Sequence, residues 1–239
     1  MKRDSNNWTA LLKKEILISL KTPAAYVVII VFLLISGYMF ADSLFLSNVA
    51  TLRPFFSLTS ILFLFFIPAL TMRGFSEEFR NGTIELIVTH PISRGKMITA
   101  KLLSSYIIVV ASLVPTLFYF IVVASLGDID AGAAFAGYIG LLFLAAGYVS
   151  VGIFASSLTQ NQVAAFIIAL FLLFIFFILD KVTALTTGSV AYVLQYASSD
   201  FHLANFYKGV IDFRDVVYFG GIVFFFSSLT AKWLELKFK

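Results

Sequence analysis

Pro54-Phe-Phe-Ser-Leu-Thr-Ser-Ile-Leu-Phe-Leu-Phe-Phe-Ile-Pro-Ala-Leu-Thr-Met72 decides the fold class. None of its nineteen residues is Asp, Glu, Lys or Arg, and eleven are Leu, Ile or Phe. Each of those eleven favours insertion into a bilayer by about 0.3–0.6 kcal/mol, roughly 5 kcal/mol together. A single central Lys would cancel about 3 of that. Helices of about 17–25 residues cross ~30 Å of hydrocarbon. A sheet is refused because its open edges cannot face lipid. This stretch reads as a membrane-spanning helix.

Five more uncharged runs read the same way: Pro23–Ala41, Leu102–Leu126, Ala131–Leu158, Val163–Leu179 and Val216–Ala231. The last holds only sixteen residues, so its helix is expected to continue through Trp233. The fold class is therefore an all-α polytopic membrane protein with six transmembrane helices. Across the 239 residues, 60% are apolar and 13% charged, and the mean hydropathy is +0.98. Soluble domains carry about 45–50% apolar and about 25% charged residues, so a water-soluble enzyme is excluded. The absence of Cys removes disulfides, thiolate zinc sites and a cysteine nucleophile. His90 and His202 lie too far apart in sequence to suggest a metal site, and no metal or cofactor is expected.

Lys and Arg set the orientation. With both termini inside, thirteen basic and six acidic residues lie on the inner side, a net +7. Four basic and seven acidic residues lie on the outer side, a net −3. That asymmetry follows the positive-inside rule and signals topology, not nucleic-acid binding. The expectation is a multi-pass protein of the bacterial plasma membrane with both termini cytoplasmic. Residues 1–22 are expected to form an amphipathic arm, since no cleavage site follows Ala41. Trp8, Leu11, Leu12, Ile16 and Leu20 make an apolar stripe opposite Lys13, Lys14 and Lys21. Such a helix suits the membrane interface; an ordinary basic flank is the alternative. Glu15 interrupts the stripe and Leu17 falls outside it.

The segment 73–97 is too polar to span and too patterned for a random linker. Asn81-Gly82 reads as a helix stop, because Gly tolerates the left-handed cap conformation. Thr83 is expected to cap a short helix, Ile84–Thr89, with Glu85 favoured in its first turn. Pro91 ends that helix, and Ser93 caps the next. The exposed apolar residues Ile84, Leu86, Ile87 and Val88 need cover from lipid or a protein.

No Gly-x-x-x-x-Gly-Lys-Ser/Thr phosphate loop occurs in the chain. No ionisable residue sits mid-span, where ion-coupled carriers place one, and neither His lies within a span. An ion-driven machine or an intramembrane enzyme is disfavoured, so energy must come from a partner. Small residues crowd the fourth span, at Ala133, Ala136, Gly137, Gly140, Ala145, Ala146, Gly147 and Gly152, and permit close helix packing. Pro68 and Pro115 are sites for kinks. The outer segment 180–215 reads as short helices dipping into the interface, either a gate or a folded cap.

Four stretches together resemble the permease subunits of type-2 ABC exporters. They are Leu11–Tyr26; residues 75–101 with their acidic pair, Gly-Thr-x-Glu-Leu, Pro-x-Ser-Arg and Lys; Ile153–Gln162; and Gly209–Tyr218 with the closing Leu229–Glu235. Within that class the chain is most similar to the gliding-motility and copper-site-maturation group. The resemblance implies an N-terminal interfacial helix, a cytoplasmic coupling helix in 73–97, and re-entrant helices in 180–215. It implies a second permease copy or paralogue, and two separate cytoplasmic ATPase subunits that bind ATP and Mg. Glu77, Glu78, Gly82, Thr83, Glu85, Pro91 and Arg94 match the family's loop pattern and would form the ATPase-coupling interface. His90 stands where an apolar residue is commoner.

The resulting division is the arm 1–22, spans one and two in 23–72, the coupling loop 73–97, spans three to five in 98–179, the re-entrant segment 180–215, and span six with a basic tail in 216–239. The expected function is a non-catalytic export permease powered by a partner ATPase. A membrane anchor that docks a cytoplasmic protein without transport is the alternative reading; secondary transport is a third. The cargo is not legible.

Overall fold

The computed structural model describes residues 2–47, 50–83, 93–183 and 188–238, the side chains of 2–7, 24 and 45–47 excepted. Every regular element among the described residues is helical. In order these are α1 (Lys2–Lys21), α2 (Pro23–Ser47), α3 (Arg53–Thr71), α4 (Ser76–Arg80), α5 (Arg94–Leu113), a 3₁₀ turn (Val114–Thr116) and α6 (Leu117–Leu126). There follow α7 (Ala131–Leu158), α8 (Gln162–Val182), α9 (Ser189–Ala197), α10 (Ser199–Tyr207) and α11 (Phe213–Lys237). Six segments among these are long and apolar enough to cross a membrane: α2, α3 with α4, α5 with α6, α7, α8 and α11.

Local chemistry sets the boundaries. Asp130 accepts from Ala133 N–H, Asn161 from Val163 and Ala164 N–H, Ser198 from Asp200 N–H, and Asp212 from Arg214 N–H, starting α7, α8, α10 and α11. Each such cap is worth about 1 kcal/mol. Pro115 falls in the 3₁₀ turn that separates α5 from α6, so the third span is two helices rather than one. Pro68 sits inside α3, near its end. The last helix does extend through Trp233, to Lys237.

The central element is α7, packed against α3, α5, α8, α10 and α11. At Gly137, Gly140 and Gly152 of this helix the neighbours leave no room for a side chain. A Cβ on Gly137 would lie 2.2 Å from the Phe56 ring, and one on Gly152 would lie 2.0 Å from Thr71 Oγ1. Close approach of this kind is how helices gain van der Waals contact in lipid. By contrast, α2 and α8 present Leu34 (67% exposed) and Phe171 (62%) outward, as lipid-facing helices do.

The chain's alternation gives the bundle two ends. One, here the basic end, carries α1, α4, the start of α5, the α7–α8 turn and the close of α11. The other carries the α2–α3 and α6–α7 connections, α9, α10 and the start of α11. α1 packs on α5 and α2, with Leu11 buried and Leu17 exposed.

Candidate functional site

At the basic end α3 stops at Thr71, and a turn delivers the five-residue helix α4. Phe75, which precedes α4, is fully buried, and its N–H donates to Ser156 Oγ of α7 at 3.2 Å. Phe79 stacks on Phe238 with centroids 6.1 Å apart, and Lys237 Nζ lies 3.6 Å from the Phe79 centroid. Trp233 Nε1 donates to the Ser157 carbonyl at 3.0 Å, so α11 closes on the same end of α7. Thus α4 is too short to be stable alone and is held by two neighbouring spans.

α4 then ends on a Schellman motif. Thr83 N–H donates to the Glu78 carbonyl (3.1 Å) and Gly82 N–H to the Phe79 carbonyl (3.3 Å). Gly82 has φ +67°, the left-handed conformation that a glycine adopts without a Cβ clash.

The main electrostatic feature is Lys101, 3% exposed in α5. Its Nζ donates to Glu78 Oε1 at 2.7 Å and to Glu15 Oε2 at 3.2 Å. It also lies 5.2 Å from the Phe75 centroid, within cation–π range. One ammonium therefore ties α1, α4 and α5 together. A second stitch between α1 and α5 is Trp8 Nε1, which donates to Thr99 Oγ1 at 3.3 Å.

Beside the triad lies a cavity of about 460 Å³ between α1, α3, α4 and α5. Its wall includes Lys14, Arg73, Glu77 and Thr83 as well as the triad itself. The profile described as ABC-2 family transporter protein matches residues 9–207.

The chain belongs to the ABC-2 transporter family.

A search of curated protein sequences finds no match. Members of the ABC-2 family are membrane components of ABC transporters, non-catalytic permeases that work with an ATP-binding partner. In this ABC-2 permease the matched region takes in α4, the Lys101 triad and the cavity.

Glu77, Glu78 and Thr83 come together at the cavity, and Gly82 turns the chain beside it. Arg94 is the half-buried first residue of α5 and is not part of the cavity wall. Glu85, Pro91, His90 and the expected helix Ile84–Thr89 lie outside the described residues. Ser93 occupies the N-cap position of α5, but its hydroxyl makes no capping bond, contrary to expectation. Sequence reading missed Glu15 and Lys101 as a unit. The one signal was the carboxylate interrupting the apolar stripe of α1.

The opposite end of this ABC-2 permease holds a second buried cluster. His202 Nδ1 is 2.6 Å from Asp215 Oδ1, and its Nε2 is 2.9 Å from the Tyr196 carbonyl. That carbonyl can only accept, so Nε2 carries a proton. Asn205 Nδ2 donates to Asp215 Oδ2 at 3.0 Å, and the Tyr218 ring stacks on His202 with centroids 4.0 Å apart. Tyr148 Oη and Ser199 Oγ lie 3.0 Å apart, and Tyr207 O–H donates to the Phe56 carbonyl at 2.9 Å. Together these bonds fix α10 to α3, α7 and α11.

Proposed function

We propose that this chain is an export permease of the bacterial plasma membrane, with both termini cytoplasmic, that couples to its ATPase through segment 73–97. On this reading the basic end faces the cytoplasm, where thirteen of the seventeen Lys and Arg would lie. Two permease halves, identical or paralogous, work with two ATPase subunits. Residues 84–89 form the coupling helix, and Glu77, Glu78, Gly82, Thr83, Glu85, Pro91 and Arg94 form or support its docking face. Residues 180–215 form the outer re-entrant segment.

The observation that supports the coupling role is the buried Glu15–Lys101–Glu78 triad. A push on residues beyond Thr83 meets α4, and the triad carries the load into α1 and α5 instead of letting α4 slide. Buried ion pairs fix one arrangement of their elements because separating the charges leaves an uncompensated one. The resemblance of four sequence stretches to type-2 ABC exporter permeases supports export without naming a cargo.

The test uses the full chain in proteoliposomes with the ATPase that co-purifies with it. Glu85→Ala and Arg94→Ala are expected to abolish the permease's effect on ATP hydrolysis while membrane insertion stays normal. Because the chain has no Cys, a cysteine at Thr83 is a unique label site. Labelling of that site by an impermeant maleimide in intact cells would overturn the orientation. A scaffold, the competing reading, would leave hydrolysis unchanged by wild-type permease.

A further inference from the structure

The cavity at the basic end has the polarity profile of a lipid. Its floor is ionic, formed by Lys101, Arg73, Glu77 and Glu78. Farther along α3 and α5 its wall is Ala69, Leu70 and Ile108, with Ser104 and Ser105 between these and Lys101. On α5, Lys101 and Ile108 are seven residues apart, about 10 Å along the axis. A bilayer passes from head group to acyl chain over a similar depth. Ile18 of α1, apolar and 50% exposed, is part of the same wall, as suits a cavity near a lipid surface.

The ionic lining is balanced. Lys14, Arg73 and Lys101 face Glu15, Glu77 and Glu78, three charges of each sign. Two polar atoms in these side chains, Arg73 Nε and Glu78 Oε2, are buried without a hydrogen-bond partner among the described residues. One is a donor and the other an acceptor. Buried groups of this kind are normally satisfied, and leaving one unmet costs about 1–3 kcal/mol. A ligand that meets both, once each side chain turns toward the cavity, carries an anionic acceptor and an N–H donor.

We infer that this cavity binds a zwitterionic phospholipid with a primary ammonium head group, the ethanolamine type. The phosphate faces Arg73, the ammonium faces Glu78, and the upper chains lie along Leu70 and Ile108. A choline head group has the same net charge but no N–H for Glu78. A glycerol head group adds a net negative charge and no ammonium. The volume, about 460 Å³, suits a head group and glycerol with the first chain carbons. The inference goes beyond the coupling reading and does not rest on it, since no ATPase is involved.

The test is native mass spectrometry of the full chain, delipidated in detergent and offered phosphatidylethanolamine, phosphatidylcholine and phosphatidylglycerol with identical acyl chains. Phosphatidylethanolamine is expected to be retained about tenfold better than either, the worth of one charge-assisted hydrogen bond. Arg73→Gln should lower its retention by a similar factor, about tenfold. Ala69→Trp fills the cavity from α3 without touching a charge, and should abolish retention with an unchanged melting temperature. Equal retention of the three lipids, or wild-type retention by Ala69→Trp, would overturn the assignment. So would competition by free glycerophosphoethanolamine at the same concentration as the lipid, because that would make the ligand a soluble head group.

Discussion

Lys101 Nζ stands 2.7 Å from Glu78 Oε1, joining two helices whose sequences are separated by the whole segment 84–92. Glu15 completes the group from α1, so two carboxylates share one buried ammonium. Removing the ammonium leaves both carboxylates in a desolvated site. Lys101→Met is therefore expected to lower stability by about 3–5 kcal/mol, the usual effect of breaking a buried pair. The triple variant Glu15→Gln, Lys101→Met, Glu78→Gln removes every charge and should recover most of that loss. Thermal unfolding of the detergent-solubilised chain reads both. A triple variant no more stable than Lys101→Met alone would show that Lys101 matters through packing rather than charge.

The two outcomes differ for a reason that also explains what the sequence could reveal. A span announces itself over some twenty consecutive residues, so Pro54–Met72 is readable without knowing any contact. α9 and α10 announce themselves nearly as well, by aromatic and polar clusters between the last two spans. The triad has no such local signature. Glu15 and Lys101 are 86 residues apart, and each looks ordinary alone: a flaw in an amphipathic stripe, and one more basic residue of the topology signal. The small residues of α7 were legible as a close-packing face, whereas the identity of their partners, Phe56 and Thr71, required the fold. Glu77, Glu78, Gly82 and Thr83 could be named from the sequence because they match the family's loop pattern within seven consecutive residues. Arg73 and Lys14 were counted as charges without being seen as a wall of one cavity.

At the other end, His202 and Asp215 pose a similar question with a different geometry. His202 is 1% exposed and its ring is sandwiched by bonds to Asp215 and to the Tyr196 carbonyl. His202→Phe keeps the stack on Tyr218 but leaves the Asp215 carboxylate with Asn205 as its remaining partner in this cluster. A stability loss of about 3–5 kcal/mol is expected, again from an uncompensated buried charge. The double variant His202→Phe, Asp215→Leu should lie well above the sum of the two single effects, because the residues are in contact. Additive losses in a denaturation cycle would mean that the pair does not act as a unit.

Gly82 offers the sharpest test of segment 73–97, because its substitution separates backbone direction from packing. With φ at +67° it reverses the chain at the end of α4, yet a Cβ there would meet no atom of the described residues within 4 Å. Gly82→Ala therefore introduces no clash with a neighbour. It introduces only the strain of an L-residue in the left-handed region, about 1–2 kcal/mol. The chain relieves that strain by changing φ, which breaks the Thr83–Glu78 and Gly82–Phe79 bonds and redirects residues 84–92. Gly82→Asn tolerates the left-handed conformation and should keep the turn. Under the coupling reading, Gly82→Ala weakens the permease's effect on ATP hydrolysis while its melting temperature stays close to wild type. Gly82→Asn restores that effect. If the alanine and asparagine variants stimulate hydrolysis equally, the direction set at Gly82 has no part in docking, and the coupling role must lie elsewhere in the chain.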